Sequence, residues 1–219
     1  MTDYRPLKVS WSQLRNHEEC HRKSYLLRSG KKAKVTNVRN FYHGSVVDQV
    51  MRDWLESPLR QPGGMQKMVD RVMSEVADEA KGNDQLIRWR NAQDKEDVRQ
   101  FCLTLVERLE PILRERVLPF QHEVGKWFKV PIQLPDPYGV LREVTLIGEM
   151  DLLCYDDGPI VWDLKGTADD QYWRKVLGQL TFYDIVITIS SGQRTRKTGL
   201  IQPMCSEPVL EFVIDDAMR

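Results

Sequence analysis

Two acids and a lysine carry most of the chemistry this sequence suggests. Asp151 closes the run Gly148-Glu-Met-Asp151, and Asp163 and Lys165 close Ile160-Val-Trp-Asp163-Leu-Lys165. Between the runs lies Asp156-Asp-Gly158, a strong hairpin signal. Two antiparallel strands are therefore expected, with Asp151 and Asp163 near each other at their ends. Side chains alternate along a strand, so Asp163 and Lys165 share a face. Glu149, two residues before Asp151, shares that acid's face and is a weaker candidate.

Converging carboxylates are costly unless a cation neutralises them. Oxygen ligands that fill only part of a coordination shell, with waters and a substrate phosphate completing it, suit Mg²⁺ or Mn²⁺. Such an ion can activate water and stabilise charge on a scissile phosphate. Lys165 could orient the attacking water or neutralise developing charge. An isolated Asp-x-Lys is common by chance and reads as a surface ion pair, so the surrounding segments must decide.

The elements that would position these residues can be read from the pattern. Ser10 or Ser12 can cap a helix that includes Leu14 and, further on, Tyr25 and Leu26. Gly30 and the lysines after it read as a loop. A second helix is predicted over about 38–56, with Val46, Val47, Val50, Met51 and Trp54 on one face. Gln61-Pro-Gly-Gly64 breaks the chain. Two more helices are predicted at 65–81 and 84–118. In the second, Trp89, Phe101, Leu105, Leu109 and Leu113 form a core-facing stripe. Strands are predicted at 126–134, despite Pro131, at 142–155 and at 160–165. A helix at about 169–190 and strands at 198–204 and 209–214 complete the order. This sequence of elements suggests an α/β fold with a mixed central sheet and helices on both sides. One domain spanning 1–219 is expected, with a helical insertion over about 57–120 beside the cleft and a catalytic sheet core over about 123–215.

Five segments, in order, resemble the PD-(D/E)xK nucleases, and within them the RecB-like and Cas4-like exonuclease branch. SWSQLRNHEECHRKSYLL resembles an N-terminal Ser-rich helix followed by Cys-x-Arg and an aromatic, here Cys20, Arg22 and Tyr25. FYHGSVVDQVM resembles a Gly-x-x-x-His helix, GEMDLL a Gly-x-x-Asp strand, and VWDLKG an Asp-x-Lys strand. Gln179-Leu-Thr-Phe-Tyr183 matches Gln-x-x-x-Tyr. Together the segments span about residues 10–183.

The resemblance implies a restriction-endonuclease-like core and metal-dependent cleavage of DNA. It makes Asp151 and Asp163 metal ligands, the Leu164 carbonyl a further oxygen donor, and Lys165 the catalytic lysine. Gln179 and Tyr183, at i and i+4 on one helix face, would orient the site or touch DNA. Ser10, Ser12, Arg22 and Tyr25 would belong to the nucleic-acid-binding surface. Where the family has His, four residues after the Gly, this chain has Asp48. A carboxylate ligates Mg²⁺ readily, so Asp48 is carried as a metal ligand. Glu123 resembles an acid found just upstream of the sheet. His17, His21, His43 and His122 read as ordinary surface or packing residues. Cas4-like relatives carry an iron–sulfur cluster, which normally takes four thiolates. Cys20 sits at the N-terminal position, but the C-terminal region offers only Cys205, so no cluster is expected.

Composition bounds the alternatives. The chain has 219 residues, 41% hydrophobic and 29% charged, as expected of a soluble globular protein. No apolar run is long enough to span a bilayer and the N-terminus lacks a signal-peptide core, so a cytoplasmic, bacterial or phage-encoded protein with no membrane partner is expected. Cys20, Cys102, Cys154 and Cys205 form no close pair, which argues against structural zinc. The formal net charge is zero, against a uniformly basic DNA coat. The first forty residues are nonetheless rich in Lys and Arg (Lys8, Arg15, Arg22, Lys23, Arg28, Lys31, Lys32, Lys34 and Arg39 among them) and can neutralise phosphates. Arg174, Lys175, Arg194, Arg196 and Lys197 are further backbone-contact candidates. Trp11, Tyr25, Trp162 and Trp173 could stack on bases, with burial the competing use.

The sequence reading is thus a DNA exonuclease acting in recombination, repair or phage DNA processing, with a recombination or helicase partner compatible with it. A structure-specific endonuclease on the same fold is one rival. A nuclease-fold DNA- or partner-binding module without chemistry is another, and the intact Asp151, Asp163 and Lys165 argue against it. The acids as a purely structural cation site are a third.

Overall fold

A computed structural model describes residues 7–20 and 37–218. In chain order the elements are β1 (Leu7–Val9), α1 (Trp11–Glu19), α2 (Arg39–Glu56), α3 (Gly64–Gly82), α4 (Ala92–Arg116), β2 (Gln121–Pro135), β3 (Leu141–Tyr155), β4 (Pro159–Leu164), α5 (Trp173–Ser191), β5 (Lys197–Ile201) and β6 (Val209–Phe212). The sheet runs β1-β3-β4-β5-β6, with β2 pairing β3. β1 is parallel to β3 and β4 to β5, while β2–β3, β3–β4 and β5–β6 are antiparallel. A mixed sheet flanked, among the described residues, by five helices matches the expected restriction-endonuclease-like α/β fold.

Burial on both sheet faces follows from strand alternation. Leu152, Cys154, Ile160 and Trp162 face the core built with α2, α3 and α4, whereas Leu153 and Val161 face a second cluster with Phe182, Tyr183, Val186 and Ile187 of α5. A strand covered on both sides needs apolar residues throughout, which is why β4 is a continuous run rather than an alternating one. Trp162 is accommodated by its neighbour across β5, Gly199. A Cβ there would lie 2.1 Å from the indole ring.

Several boundaries differ from the sequence expectation. The strand expected at 126–134 starts at Gln121 and tolerates Pro131 because, among the described residues, β2 pairs only with β3, and an edge strand can spare the missing N–H. Residues 84–91 are not helical. Leu86 bridges Asn37, and Asn91 caps α4 by accepting from the Asp94 N–H. The Ser10 cap is present with a full capping box from Gln13, but a three-residue strand, β1, precedes it. That strand was too short to register as a pattern. The expected strand at 160–165 ends at Leu164, and residues 169–172 are turn rather than helix. The expected strand 198–204 ends at Ile201, and the last strand at Phe212.

Candidate active site

The site forms where β3 and β4 part. They pair from Tyr155↔Pro159 to Leu152↔Trp162, and one more step in that register would set Asp163 opposite Asp151. At that level the Leu164 N–H donates to Asp151 Oδ2 at 2.8 Å instead of to the β3 backbone. On the other side of β3 the distortion is matched by Gly125, whose φ of +58° suits glycine better than other residues.

Asp163 is fully buried. Its Oδ2 lies 2.6 Å from Lys165 Nζ, and its Oδ1 has no hydrogen-bond partner among the described residues. From α2, Asp48 presents a second such oxygen, Oδ1. Asp48, Asp151, Leu164 and Lys165 line one cavity of about 370 Å³, together with Phe41 and Leu105. Two buried carboxylate oxygens without protein donors are an exception to the general rule that buried polar atoms are paired.

The electrostatics agree with crowding of like charge. Burial pushes the Asp48 carboxyl up to about 6, and the Asp151 charge adds to the rise against the pull of Arg52. Burial also raises the Asp163 carboxyl. Lys165 opposes that rise, while Asp151 and Asp48 reinforce it. For Lys165, burial works to discharge the ammonium, but Asp163 and Asp151 outweigh it and its pKa lies above the ordinary lysine value. The lysine is therefore a fixed cation among acids.

Could these residues hold a divalent ion? Among the described residues, no three His, Cys, Asp or Glu side chains stand close enough to cage one unaided. The unpartnered oxygens of Asp48 and Asp163 nonetheless fit a hard cation that takes one or two carboxylates and completes its shell with water and substrate oxygens.

Around this centre the other candidates fall into place unevenly. Tyr183 is buried; its hydroxyl accepts from Gln179 Nε2 at 2.6 Å and donates to the Glu149 carbonyl at 2.8 Å. This pair ties α5 to β3 two residues from Asp151. Gln179 and Tyr183 also line a groove of about 550 Å³ with Ser10, Ser12, Arg15 and Glu149. Ser10 is in addition the α1 cap. Glu149 binds Arg52 Nη1 at 2.5 Å, and Arg52 also holds Asp48 Oδ2 at 3.0 Å. Arg52 was missed in the sequence. Its i, i+4 spacing from Asp48 is visible there, but the link to Glu149, 97 positions away, is not.

The remaining candidates have neighbours of their own. Glu123 lies inside β2 rather than before it, paired with Lys126 and with Tyr155 at 3.0 Å. Trp162 is core, and Trp11 packs on Phe182 and over Gly178. Trp173 packs on Phe212. Arg194, Arg196 and Lys197 form ion pairs with Asp216, Asp156 and Glu211. Arg196 stands at the β3–β4 turn, level with Pro159 at the end of β4 remote from Asp163, about 13 Å away at strand rise. At the start of α5, Arg174 stacks over Trp173 and Lys175 over Tyr172, Lys175 also pairs with Asp169 at 3.7 Å, and Tyr172 is within electrostatic reach of Lys165. His43 packs edge-on against Phe101, and burial lowers its pKa. Arg22 and Tyr25, with most of the basic N-terminal cluster, lie outside the described residues.

No described helix is long and apolar enough to cross a membrane. Comparison with curated proteins gives no match. A solved structure described as "Crystal structure of SSO0001" aligns over 94% of this chain and 78% of its own, with 15% identity and a TM-score of 0.34, too low to bear on fold or function. The family comparison is decisive. A model of the PD-(D/E)XK nuclease superfamily matches residues 8–203, a span that takes in α2, the β3–β4 junction and α5. This chain therefore belongs to the PD-(D/E)XK nuclease superfamily.

Proposed function

We propose that this chain is a single-domain, Mg²⁺- or Mn²⁺-dependent deoxyribonuclease, and within that class an exonuclease of the RecB-like and Cas4-like kind acting in DNA recombination, repair or phage DNA processing. The observation that carries the reading is the buried Asp163 with one unpartnered oxygen, beside Lys165 and at the level of Asp151. A fold tolerates such a group when something is to be bound there. Asp48, Asp151, Asp163 and the Leu164 carbonyl would hold the ion. Its contribution when bound is to activate water and to stabilise negative charge on the phosphate.

The protein's own groups have separable tasks. Lys165 keeps its proton, so it orients the attacking water through an N–H bond or offsets charge on the phosphate oxygens. Gln179 and Tyr183 fix β3 against α5, and thereby the direction of Asp151. Arg52 occupies one oxygen of Asp48 and leaves the other for the cleft. Ser12, Arg174 and Lys175 are suited to backbone contacts, which set position rather than sequence preference.

The deciding experiment compares end-labelled linear DNA with closed circular DNA, in Mg²⁺, Mn²⁺ or EDTA, for wild type and Lys165→Ala. Metal-dependent loss of linear DNA alone, abolished by the substitution, is the expected result. Cutting of circles would replace the exonuclease with an endonuclease. Binding without cleavage in every condition would make the chain a non-catalytic module.

A further inference from the structure

Phe41 is 71% exposed, on the surface of α2. It lines the cavity that holds Asp48, Asp151 and Lys165, and also the groove that runs past Ser12 to Gln179. The ring therefore forms the ridge between the catalytic cleft and the α1–α5 groove. It stands two helical turns before Asp48, about 10 Å along the helix axis. An exposed aromatic is costly to hydrate, and single ones on a surface need no explanation. One that joins the cavity of Asp48, Asp151 and Lys165 to the groove of Ser12, Asn16 and Gln179 does. Of the aromatics named as stacking candidates, Trp162 and Trp173 are packed, as burial predicted, and Trp11, although it lines the groove, packs on Phe182 and over Gly178.

We infer that Phe41 is the stacking platform for one unpaired nucleobase, one or two nucleotides from the scissile phosphate, on a strand that passes from the cleft into the α1–α5 groove. This rests on the nuclease reading and adds a substrate feature to it: the flanking nucleotide must be unpaired to meet the ring. Continuity of the two cavities through Phe41 is what selects a nucleic-acid strand as the occupant. A strand whose phosphate sits by Lys165 has its neighbouring base at this ridge, with polar side chains such as Ser12 and Asn16 beyond it. Aromatic stacking is tolerant of base identity, so the platform selects for strandedness rather than sequence.

The test is binding in EDTA, where no cleavage intervenes. A short single-stranded oligonucleotide carries 2-aminopurine at successive positions. Wild type should quench one position most strongly. Phe41→Ala should abolish that quench and weaken binding about five- to a hundredfold, and Phe41→Trp should preserve it. An abasic site at the quenched position should remove the difference between wild type and Phe41→Ala, because the two changes delete the same contact. A fully paired duplex should bind both proteins alike. Equal affinities of wild type and Phe41→Ala for the intact single strand, or equal weakening with and without the base, would overturn the inference while leaving the nuclease reading intact. Wild type that neither binds nor cleaves DNA would overturn the nuclease reading itself.

Discussion

The acids that equip the cleft should cost the metal-free protein stability, and Asp48 allows the cost to be worked out. Its carboxyl is moved from an ordinary 3.8 to about 6, chiefly by burial and next by Asp151. Taken at face value, holding it ionised in the fold costs about 3 kcal/mol. The side chain keeps 34% exposure, so solvent screening reduces that to about 1–2 kcal/mol. The sign follows from linkage. Between pH 3.8 and about 6 the folded protein binds more protons at this group than the unfolded chain, so stability falls as pH rises through that window and is level above it. Asparagine reproduces the protonated acid in shape and charge. Urea denaturation in EDTA, from pH 4 to 7.5, should therefore show Asp48→Asn and wild type converging near pH 4 and separating by about 1–2 kcal/mol at pH 7.5, the variant being the more stable. For a chain of this size that is a difference in Tm of about 2–8 °C. His43, whose pKa burial lowers, tilts both curves the other way, because the unfolded chain binds more protons there as pH falls below about 6.5, but it cancels in the difference. Relief of Asp163, which the Asp48 charge also raises, adds in the expected direction. At pH 7.5, Mn²⁺ should stabilise wild type more than the variant. A flat difference curve, or a wild type more stable than Asp48→Asn at pH 7.5 in EDTA, would refute the account of a strained, ligand-ready carboxylate.

Three further outcomes are expected. Tyr183→Phe removes the hydroxyl that joins Gln179 to the Glu149 carbonyl and should cost about 1–3 kcal/mol by leaving a buried acceptor unmet; combined with Gln179→Ala, the loss measured by urea denaturation should be smaller than the sum. Gly199→Ala would drive a methyl into the Trp162 ring and should destabilise by about 1–3 kcal/mol, with lower nuclease activity because β4 carries Asp163; unchanged stability would mean the ring has room to move. DNA affinity should fall steeply with salt, log K dropping against log salt by about 0.7–0.9 per phosphate contacted, and a nearly flat titration would remove backbone contact as the source of binding.

The part of this site that was legible in the sequence is the part set by local rules. Asp156-Asp-Gly158 forced a tight turn, the turn forced register, and register placed Asp151 at the level of Asp163. Helical spacing likewise put Gln179 and Tyr183 within reach of each other. The N-terminal strand stayed hidden because three residues carry no periodicity, and its pairing with β3 at Val144–Leu146 is a long-range choice. Residues 84–91 misled because Trp89 fits the helical stripe, yet it packs on Tyr42 from a non-helical segment.

The contacts that the sequence did not disclose have a common cause. Arginines 194 and 196 and Lys197 look free in sequence because their partners, Asp216, Asp156 and Glu211, arrive from other elements. Arg52 looks like a helix-surface residue for the same reason, although it spans from Asp48 to Glu149 beneath the cleft. It can do so because Gly125 leaves the space: a Cβ there would meet the guanidinium at 2.0 Å. Gly125 thus bends the ladder beside Asp151 and admits the cation that steadies Asp48. A glycine in β2 and an arginine in α2 act on one site, although nothing in their own neighbourhoods reports it. Side-chain neighbours are legible in the sequence where chain geometry fixes them, and hidden where tertiary packing chooses them. The aromatic most exposed beside the cleft, Phe41, belongs to the second group, since exposure is a property of the assembled surface and not of spacing.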